Sequence, residues 1–133
     1  MRLAKILSSL FIIVLFTYLF PGCQYNKADI VYPCDTTVVT YSVEIRAILD
    51  NNCKNCHGPD SSQWINSGYN LYDYTTISSL AFLDTANCPE GQLVAAVAHS
   101  ACAFSFMPKG QPKLPDCDIN LFRAWVSRGA PNN

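Results

Sequence analysis

Cys53-Lys54-Asn55-Cys56-His57 is the stretch of this 133-residue sequence that is most informative about its fold. The spacing C-x-x-C-H is typical of covalent haem attachment. Two thiols with two residues between them fit one helical turn, so both can reach the two vinyl groups along one edge of a porphyrin. The histidine directly after them can then bind the iron as the proximal ligand. The pattern therefore predicts one haem c, held by thioethers from Cys53 and Cys56 and ligated by His57.

Three other interpretations of the same residues stay open. A zinc site could use both cysteines and His57, but zinc needs a fourth ligand and usually a second pair of ligands. A redox-active C-x-x-C of the thioredoxin type is expected in a βαβ context, and the sequence has no alternating strand pattern to supply one. A structural disulfide between Cys53 and Cys56 is sterically tight.

Met107 is a candidate for the second axial position of the iron. It is followed by Pro108 and lies 50 residues after His57, in a loop rich in Pro, Gly and Lys. A methionine in this setting resembles the distal-ligand loop of small monohaem cytochromes c, and Met/His ligation raises the reduction potential of a haem. Met107 could instead fill a gap in the core. His99 could replace it in a bis-histidine haem, or it is a helix C-terminal histidine favoured by the helix dipole.

The N-terminus has the pattern of an export signal. Arg2 and Lys5 precede an uncharged, largely apolar stretch over residues 6–20, which is shorter than the roughly 20 residues of a membrane span. The stretch is followed by Gly22-Cys23, which resembles the lipobox of bacterial lipoproteins. The resemblance implies lipidation of Cys23. A plain cleaved signal and an uncleaved anchor are the alternatives.

This resemblance implies three segments and a location. Residues 1–22 are expected to be a lipoprotein-type signal peptide, residues 23–37 the lipidated cysteine and a tether, and residues 38–133 a single domain. Two or more acyl chains give stable membrane anchoring. We therefore expect an exported lipoprotein, anchored to a membrane on its periplasmic or cell-surface side, in a Gram-negative bacterium.

Composition excludes several classes of protein. The net charge is −1 and only 14% of the residues are charged, so nucleic-acid binding through phosphate contacts is not expected. Loss of Arg2 and Lys5 with the signal peptide lowers the net charge to −3. A hydrophobic content of 50% argues against general disorder. No Ser/His/Asp group, phosphate loop or carboxylate pair has a spacing that indicates an enzyme.

Apolar residues at helical spacing predict four helices, over about residues 43–49, 75–82, 91–99 and 118–128. Ser42 is a candidate N-cap for the first helix, and Asp116 or Asp118 for the last. Residues 58–74 are expected to be mostly loop. The buried faces are predicted to contain Ile45, Ile48 and Leu49 in the first helix, and Ile119, Leu121, Phe122, Trp125 and Val126 in the last.

The predicted fold is all-α and similar to the class I cytochrome c fold, with three to five helices and long loops around one covalent haem. In that fold the first and last helices cross beside the haem. Thr40-Tyr41-Ser42, Met107-Pro108 and the terminal W-V-S-R-G-A-P string over 125–131 resemble small cytochrome c-like lipoproteins of Gram-negative bacteria. The resemblance covers roughly residues 38–131 and implies that His57 is the proximal ligand and Met107 the distal one.

The seven cysteines then divide into one lipid anchor, two haem thioethers and four others, which are Cys34, Cys88, Cys102 and Cys117. Three pairings of these four are possible. We favour Cys34–Cys117, because the two residues lie at the starts of helices that are expected to pack together, and Cys88–Cys102, which would bracket the third helix. Disulfides are expected in an exported protein, and four buried free thiols are the alternative.

The resemblance implies an electron-transfer protein with transient redox proteins as partners. Phe104, Phe106 and Trp125 are expected to line its haem pocket, although ordinary core packing explains each of them equally well. A haem enzyme or gas sensor with a labile sixth ligand, similar to a peroxidase, is the first alternative. A lipoprotein without haem is the second.

Overall fold

The computed structural model describes residues 34–61 and 68–133. Within these ranges the protein is helical and has no strand, which confirms the all-α class. A π-helical turn over Tyr41–Ile45 continues directly into the first α-helix. The α-helices are α1 (Arg46–Asn52), α2 (Lys54–His57), α3 (Tyr74–Phe82), α4 (Gly91–Ala98) and α5 (Asp116–Ser127).

The expected signal peptide and the lipidated Cys23 lie outside the described residues, as does the tether up to residue 33. Among the helices that are described, none is long and apolar enough to cross a membrane.

The first helical segment begins earlier than predicted, because Thr40 and Glu44 cap it together. The Thr40 hydroxyl accepts a hydrogen bond from the Val43 N–H at 3.3 Å. The Glu44 carboxylate accepts from the Thr40 N–H at 2.7 Å and from its hydroxyl at 2.8 Å. These reciprocal hydrogen bonds satisfy the main-chain N–H groups of Thr40 and Val43 and make Thr40 the N-cap. The prediction of Ser42 as the N-cap is therefore wrong.

The last helix also starts before its predicted first residue. Pro115 is its N-cap and makes no side-chain hydrogen bond to the helix. Asp116 accepts a hydrogen bond from the Lys113 ammonium group instead, and Asp116 and Asp118 both lie in the first turn. Their negative charges still favour the positive end of the helix dipole, but the prediction that one of them is the N-cap is wrong.

The two middle helices meet at a glycine. Gly91, the first residue of α4, has φ +73°, and a Cβ atom there would lie 1.9 Å from the Ala81 carbonyl oxygen in α3. Only glycine allows both the backbone conformation and the close approach. At its other end α4 stops at Ala98, one residue before the predicted end, because His99 adopts a left-handed conformation with φ 55°.

The apolar faces that were predicted for the first and last helices lie at the centre of the core. Its fully or almost fully buried members from the first and last helical segments are Ile45, Ile48, Leu49, Ile119, Phe122 and Trp125, and Leu121 and Val126 pack partly buried against them. The Trp125 indole stacks on the Tyr41 ring with the centroids 5.8 Å apart, and its N–H donates to the Pro131 carbonyl at 2.9 Å. The first and last helical segments therefore pack together through this aromatic contact.

Replacement of Trp125 by alanine is expected to lower the free energy of unfolding by about 3–5 kcal/mol, because a fully buried indole is lost and a cavity remains. Urea unfolding followed by circular dichroism measures the change. The matched control is Val43→Ala in the first helical segment, where the side chain is 61% exposed and the expected change is within about 0.5 kcal/mol. Equal effects of the two substitutions would contradict this core.

An ion pair connects α4 to α5 and predicts a pH dependence of stability. Arg123 Nη2 lies 2.9 Å from Glu90 Oε2, and the Ser100 hydroxyl donates to the other Glu90 oxygen. Burial raises the pKa of Glu90, but the hydrogen bonds from Ser100 and Arg123 and the Arg123 charge outweigh burial and hold the pKa below its ordinary value of 4.5. At pH values above the unfolded-state pKa, a carboxylate whose pKa is lowered by folding stabilises the folded state. This stabilisation is lost as the pH falls through the lowered pKa.

Wild type is therefore expected to be more stable than Glu90→Gln at pH 7, by about 1 kcal/mol or less because the pair is partly exposed. Chemical unfolding at a series of pH values measures the difference between the two proteins. The difference should stay constant down to about pH 4.5 and then shrink as Glu90 is protonated. A difference that does not change with pH would contradict the role of the Glu90 charge.

Candidate functional site

The residues of the predicted haem site converge on one cavity of about 380 Å³. Cys53, Cys56 and His57 line it from one part of the chain, and Met107 lines it from another. Its size falls in the range of cofactor and ligand sites, roughly 300–1,000 Å³. The apolar wall is made mostly of aliphatic side chains, which include Leu49, Leu71, Leu80, Leu83, Leu93, Val97 and Leu114, together with Phe122.

The C-x-x-C-H motif lies at the junction of α1 and α2. Cys53 ends α1, where its N–H donates to the Leu49 carbonyl at 2.9 Å, and its own carbonyl accepts from the His57 N–H at 2.9 Å. Cys53 is half-buried against the core and Cys56 is exposed, and both are free thiols. The Cys53–Cys56 disulfide considered from the sequence is therefore not formed, and both sulfurs are available to a group in the cavity.

Burial raises the pKa of the Cys53 thiol to about 11, and the neighbouring Cys56 adds to the effect. Redox-active cysteines of the thioredoxin type have a lowered pKa, because the thiolate is the reactive form. The motif is also set between helices, and the described ranges contain no strand to form a βαβ unit. Both observations count against a thioredoxin-type dithiol.

His57 is oriented by main-chain groups of Tyr69 and Leu71, which lie 12 and 14 residues later in the chain. Its Nδ1 lies 2.9 Å from the Tyr69 carbonyl oxygen, and its own carbonyl accepts from the Leu71 N–H at 3.1 Å. Because a carbonyl can only accept, Nδ1 carries a proton, and the neutral ring in this tautomer has its lone pair on Nε2. A histidine whose Nδ1–H is held in this way has the tautomer and the fixed ring orientation of a metal ligand.

Met107 is fixed to α4 through its main chain. Its N–H donates to the Ala96 carbonyl at 3.0 Å, and its carbonyl accepts from His99 Nε2 at 3.2 Å. Its side chain lines the cavity and is not part of the apolar core of the described residues, which counts against Met107 as a core filler. His99 does not line the cavity and stacks on Phe106 instead, which counts against a bis-histidine site.

Two of the three aromatic residues expected in the pocket lie elsewhere. Phe104 lines the cavity but is 70% exposed. Phe106 packs against the His99 ring, and Trp125 lies in the core between the first and last helical segments. The expectation was wrong for Phe106 and Trp125 because position near the motifs does not show which way a ring points.

Gln92 is a site residue that sequence reasoning missed. It is only 4% exposed, and its side chain donates to the Cys102 carbonyl at 3.1 Å and accepts from the Phe104 N–H at 2.8 Å. A polar residue within the apolar sequence of α4 indicates a buried side chain that needs hydrogen-bond partners. Its partners are main-chain groups of Cys102 and Phe104, and no sequence pattern identifies them. Gln92 lines the cavity and holds the segment that leads to Met107.

The four remaining cysteines form two disulfides, Cys34–Cys117 and Cys88–Cys102, which is the favoured pairing. The first joins the segment before the first helical turn to the start of α5. The second joins the residues on either side of α4. It therefore attaches the beginning of the segment from Cys102 to Met107, which we call the methionine loop. In the ranges 34–61 and 68–133, no three side chains of His, Cys, Asp or Glu are grouped closely enough to hold a metal ion.

Comparison with known proteins finds no match to this chain among protein-family models, curated proteins or solved structures. Any functional assignment therefore rests on the sequence motifs and on the geometry of the cavity.

Removal of the Gln92 side-chain hydrogen bonds is expected to loosen the methionine loop. Gln92→Leu leaves the Cys102 carbonyl and the Phe104 N–H without this partner and should lower the free energy of unfolding by about 1–3 kcal/mol. The control with the same chemical change is Gln111→Leu, at an exposed position, where a change within about 0.5 kcal/mol is expected. Urea unfolding of both variants makes the comparison, and a Gln92→Leu variant as stable as wild type would refute the structural role of the amide.

Proposed function

We propose that the chain is a monohaem c-type cytochrome that carries electrons, with His57 and Met107 as the axial ligands of one covalent haem. The observation that carries the proposal is the shared cavity: the C-x-x-C-H motif and a methionine 50 residues further on line the same apolar space. Two thiols, an imidazole and a thioether are the donor set that such a haem requires. The helical fold and its two disulfides are compatible with a cytochrome c-like domain.

Cys53 and Cys56 would hold the group covalently. Each S–H adds across one vinyl C=C bond, so that a C–S bond forms, the hydrogen passes to the neighbouring carbon, and no oxidant is needed. The two sulfurs lie at the end of α1 and within α2, so the attachment is made to helical backbone rather than to a free loop.

A bound haem c supplies an iron that alternates between the ferrous and ferric states. With Nδ1 donating to the Tyr69 carbonyl, the neutral imidazole of His57 would offer Nε2 to the iron. The thioether of Met107 would be a soft ligand that favours the ferrous state and raises the reduction potential. The mostly aliphatic wall of the cavity would give the iron surroundings of low polarity, which favours a small reorganisation on electron transfer.

Electron transfer is favoured over an enzyme or a gas sensor by the way Met107 is held. A haem that binds a substrate or a gas needs an open or easily vacated sixth position. Both main-chain polar groups of Met107 are hydrogen-bonded to residues at the end of α4, and the loop is attached to the same helix through Cys88–Cys102. These contacts favour a permanent sixth ligand.

The same proposal includes the location and the partners. An exported protein anchored by lipid at Cys23 would meet transient redox partners at the membrane surface. The N-terminal sequence supports export, and two disulfides suit an oxidising compartment.

Haem staining of a denaturing gel tests the covalent attachment. The full chain, exported in a host with cytochrome c maturation machinery, is expected to stain, and Cys53→Ser combined with Cys56→Ser is expected to abolish staining. Unstained wild-type protein would show that the proposed function is wrong.

Absorption of the ferric protein tests the ligation of the iron. Wild type should show the near-infrared sulfur-to-iron band, Met107→Ala should lose it, and the loop variant Gln111→Ala should keep it. A high-spin wild type that binds carbon monoxide at once would instead indicate the enzyme or gas-sensor alternative.

A further inference from the structure

The main chain of Met107 is held by a histidine that does not line the cavity. His99 Nε2 lies 3.2 Å from the Met107 carbonyl oxygen. Since a carbonyl only accepts, Nε2 is the protonated nitrogen and donates this hydrogen bond. The adjacent Met107 N–H donates to Ala96 at 3.0 Å, so the residue is held at both of its main-chain polar groups by the end of α4.

The backbone conformation of His99 and its stacking on Phe106 fix the orientation of the ring. Its backbone has the left-handed φ of 55°, and its N–H bonds to carbonyls of the last turn of α4. This conformation is uncommon for a residue with a side chain. The ring lies parallel to that of Phe106, with the centroids 4.8 Å apart and an angle of 9° between the planes. The imidazole is therefore held in place by the residue before Met107 while it donates to Met107 itself.

We infer that His99 is a positioning residue for the distal ligand: its hydrogen bond to the Met107 carbonyl keeps the methionine side chain directed at the iron. The inference rests on the proposed function, because it needs Met107 to be a ligand. A helix C-terminal histidine that acts only on the helix dipole would not change the ligation of an iron. A histidine that acts through Met107 would change how easily the thioether leaves the iron.

Displacement of Met107 by imidazole measures this effect directly. Imidazole binds the ferric iron of a six-coordinate protein only when the thioether leaves, so its apparent Kd reports how firmly Met107 is held. His99→Phe keeps a flat ring against Phe106 and removes the hydrogen-bond donor. Loss of one hydrogen bond predicts an imidazole Kd about two- to tenfold lower than in wild type, with the sulfur-to-iron band lost at correspondingly lower imidazole.

A double-mutant cycle separates positioning from a general loss of structure. In the Met107→Ala background no thioether has to leave, so adding His99→Phe is expected to change the imidazole Kd by less than about twofold. His99→Gln, which keeps an N–H donor at the same number of bonds from Cβ but loses the flat ring against Phe106, is expected to lie between wild type and His99→Phe. Urea unfolding of each variant verifies that the folded protein is being titrated.

Each result of the imidazole titrations either supports or overturns the positioning role of His99. An imidazole Kd for His99→Phe equal to that of wild type, or an equal shift in the Met107→Ala background, overturns the positioning role while the proposed cytochrome function stands. A wild-type protein that carries covalent haem but lacks the sulfur-to-iron band, or that carries no haem, shows that the proposed function has failed, and the inference is overturned with it.

Discussion

The Trp125 indole stacks on the Tyr41 ring at the centre of the described domain, and this contact determines where the first part of the site lies. Tyr41 opens the helical segment that runs through α1 to Cys53, so the packing of α5 against that segment places the C-x-x-C-H motif. The tail after α5 strengthens the contact, because Trp125 donates to the Pro131 carbonyl and Tyr74 donates to the Ala130 carbonyl. One turn before Trp125, Phe122 is fully buried and also lines the cavity. The same helix therefore fills the core and forms part of the wall of the site.

The other side of the site depends on α4. This helix is connected to α5 by the Glu90–Arg123 ion pair and packs closely on α3 at Gly91. Gln92 in its first turn and His99 directly after its last residue hold the segment that leads to Met107. One set of candidate ligands thus follows the first helical segment and the other lies in a loop held by α4, and both the first segment and α4 pack against α5. A covalent group between them would have one side attached through thioethers and the other side closed by a loop with fixed main-chain geometry.

Local features of the site could be predicted from the sequence, and contacts between distant segments could not. The C-x-x-C-H spacing and the helical period of Ile45, Ile48 and Leu49 depend only on neighbouring residues, and the buried face followed from them. The cap at Thr40 was missed because it depends on Glu44, one turn later, which accepts from the Thr40 N–H and hydroxyl and so fixes the start of the helix at Thr40 rather than at Ser42. The partner of His57, the Tyr69 carbonyl, lies 12 residues later in the chain, and a main-chain acceptor has no signature in a sequence.

The central claim is that His57 and Met107 are the two axial ligands of one covalent haem. Proton NMR of the reduced full-length protein, with its methionine methyl groups labelled with carbon-13, tests it most directly. A thioether bound to iron lies above the plane of the porphyrin, where the ring current shifts its methyl resonance strongly upfield. The Met107 methyl signal is expected in that upfield region, and Met107→Leu identifies it by its disappearance. A Met107 methyl resonance at the position of an ordinary methionine side chain, in protein that carries the covalent haem, would contradict the claim.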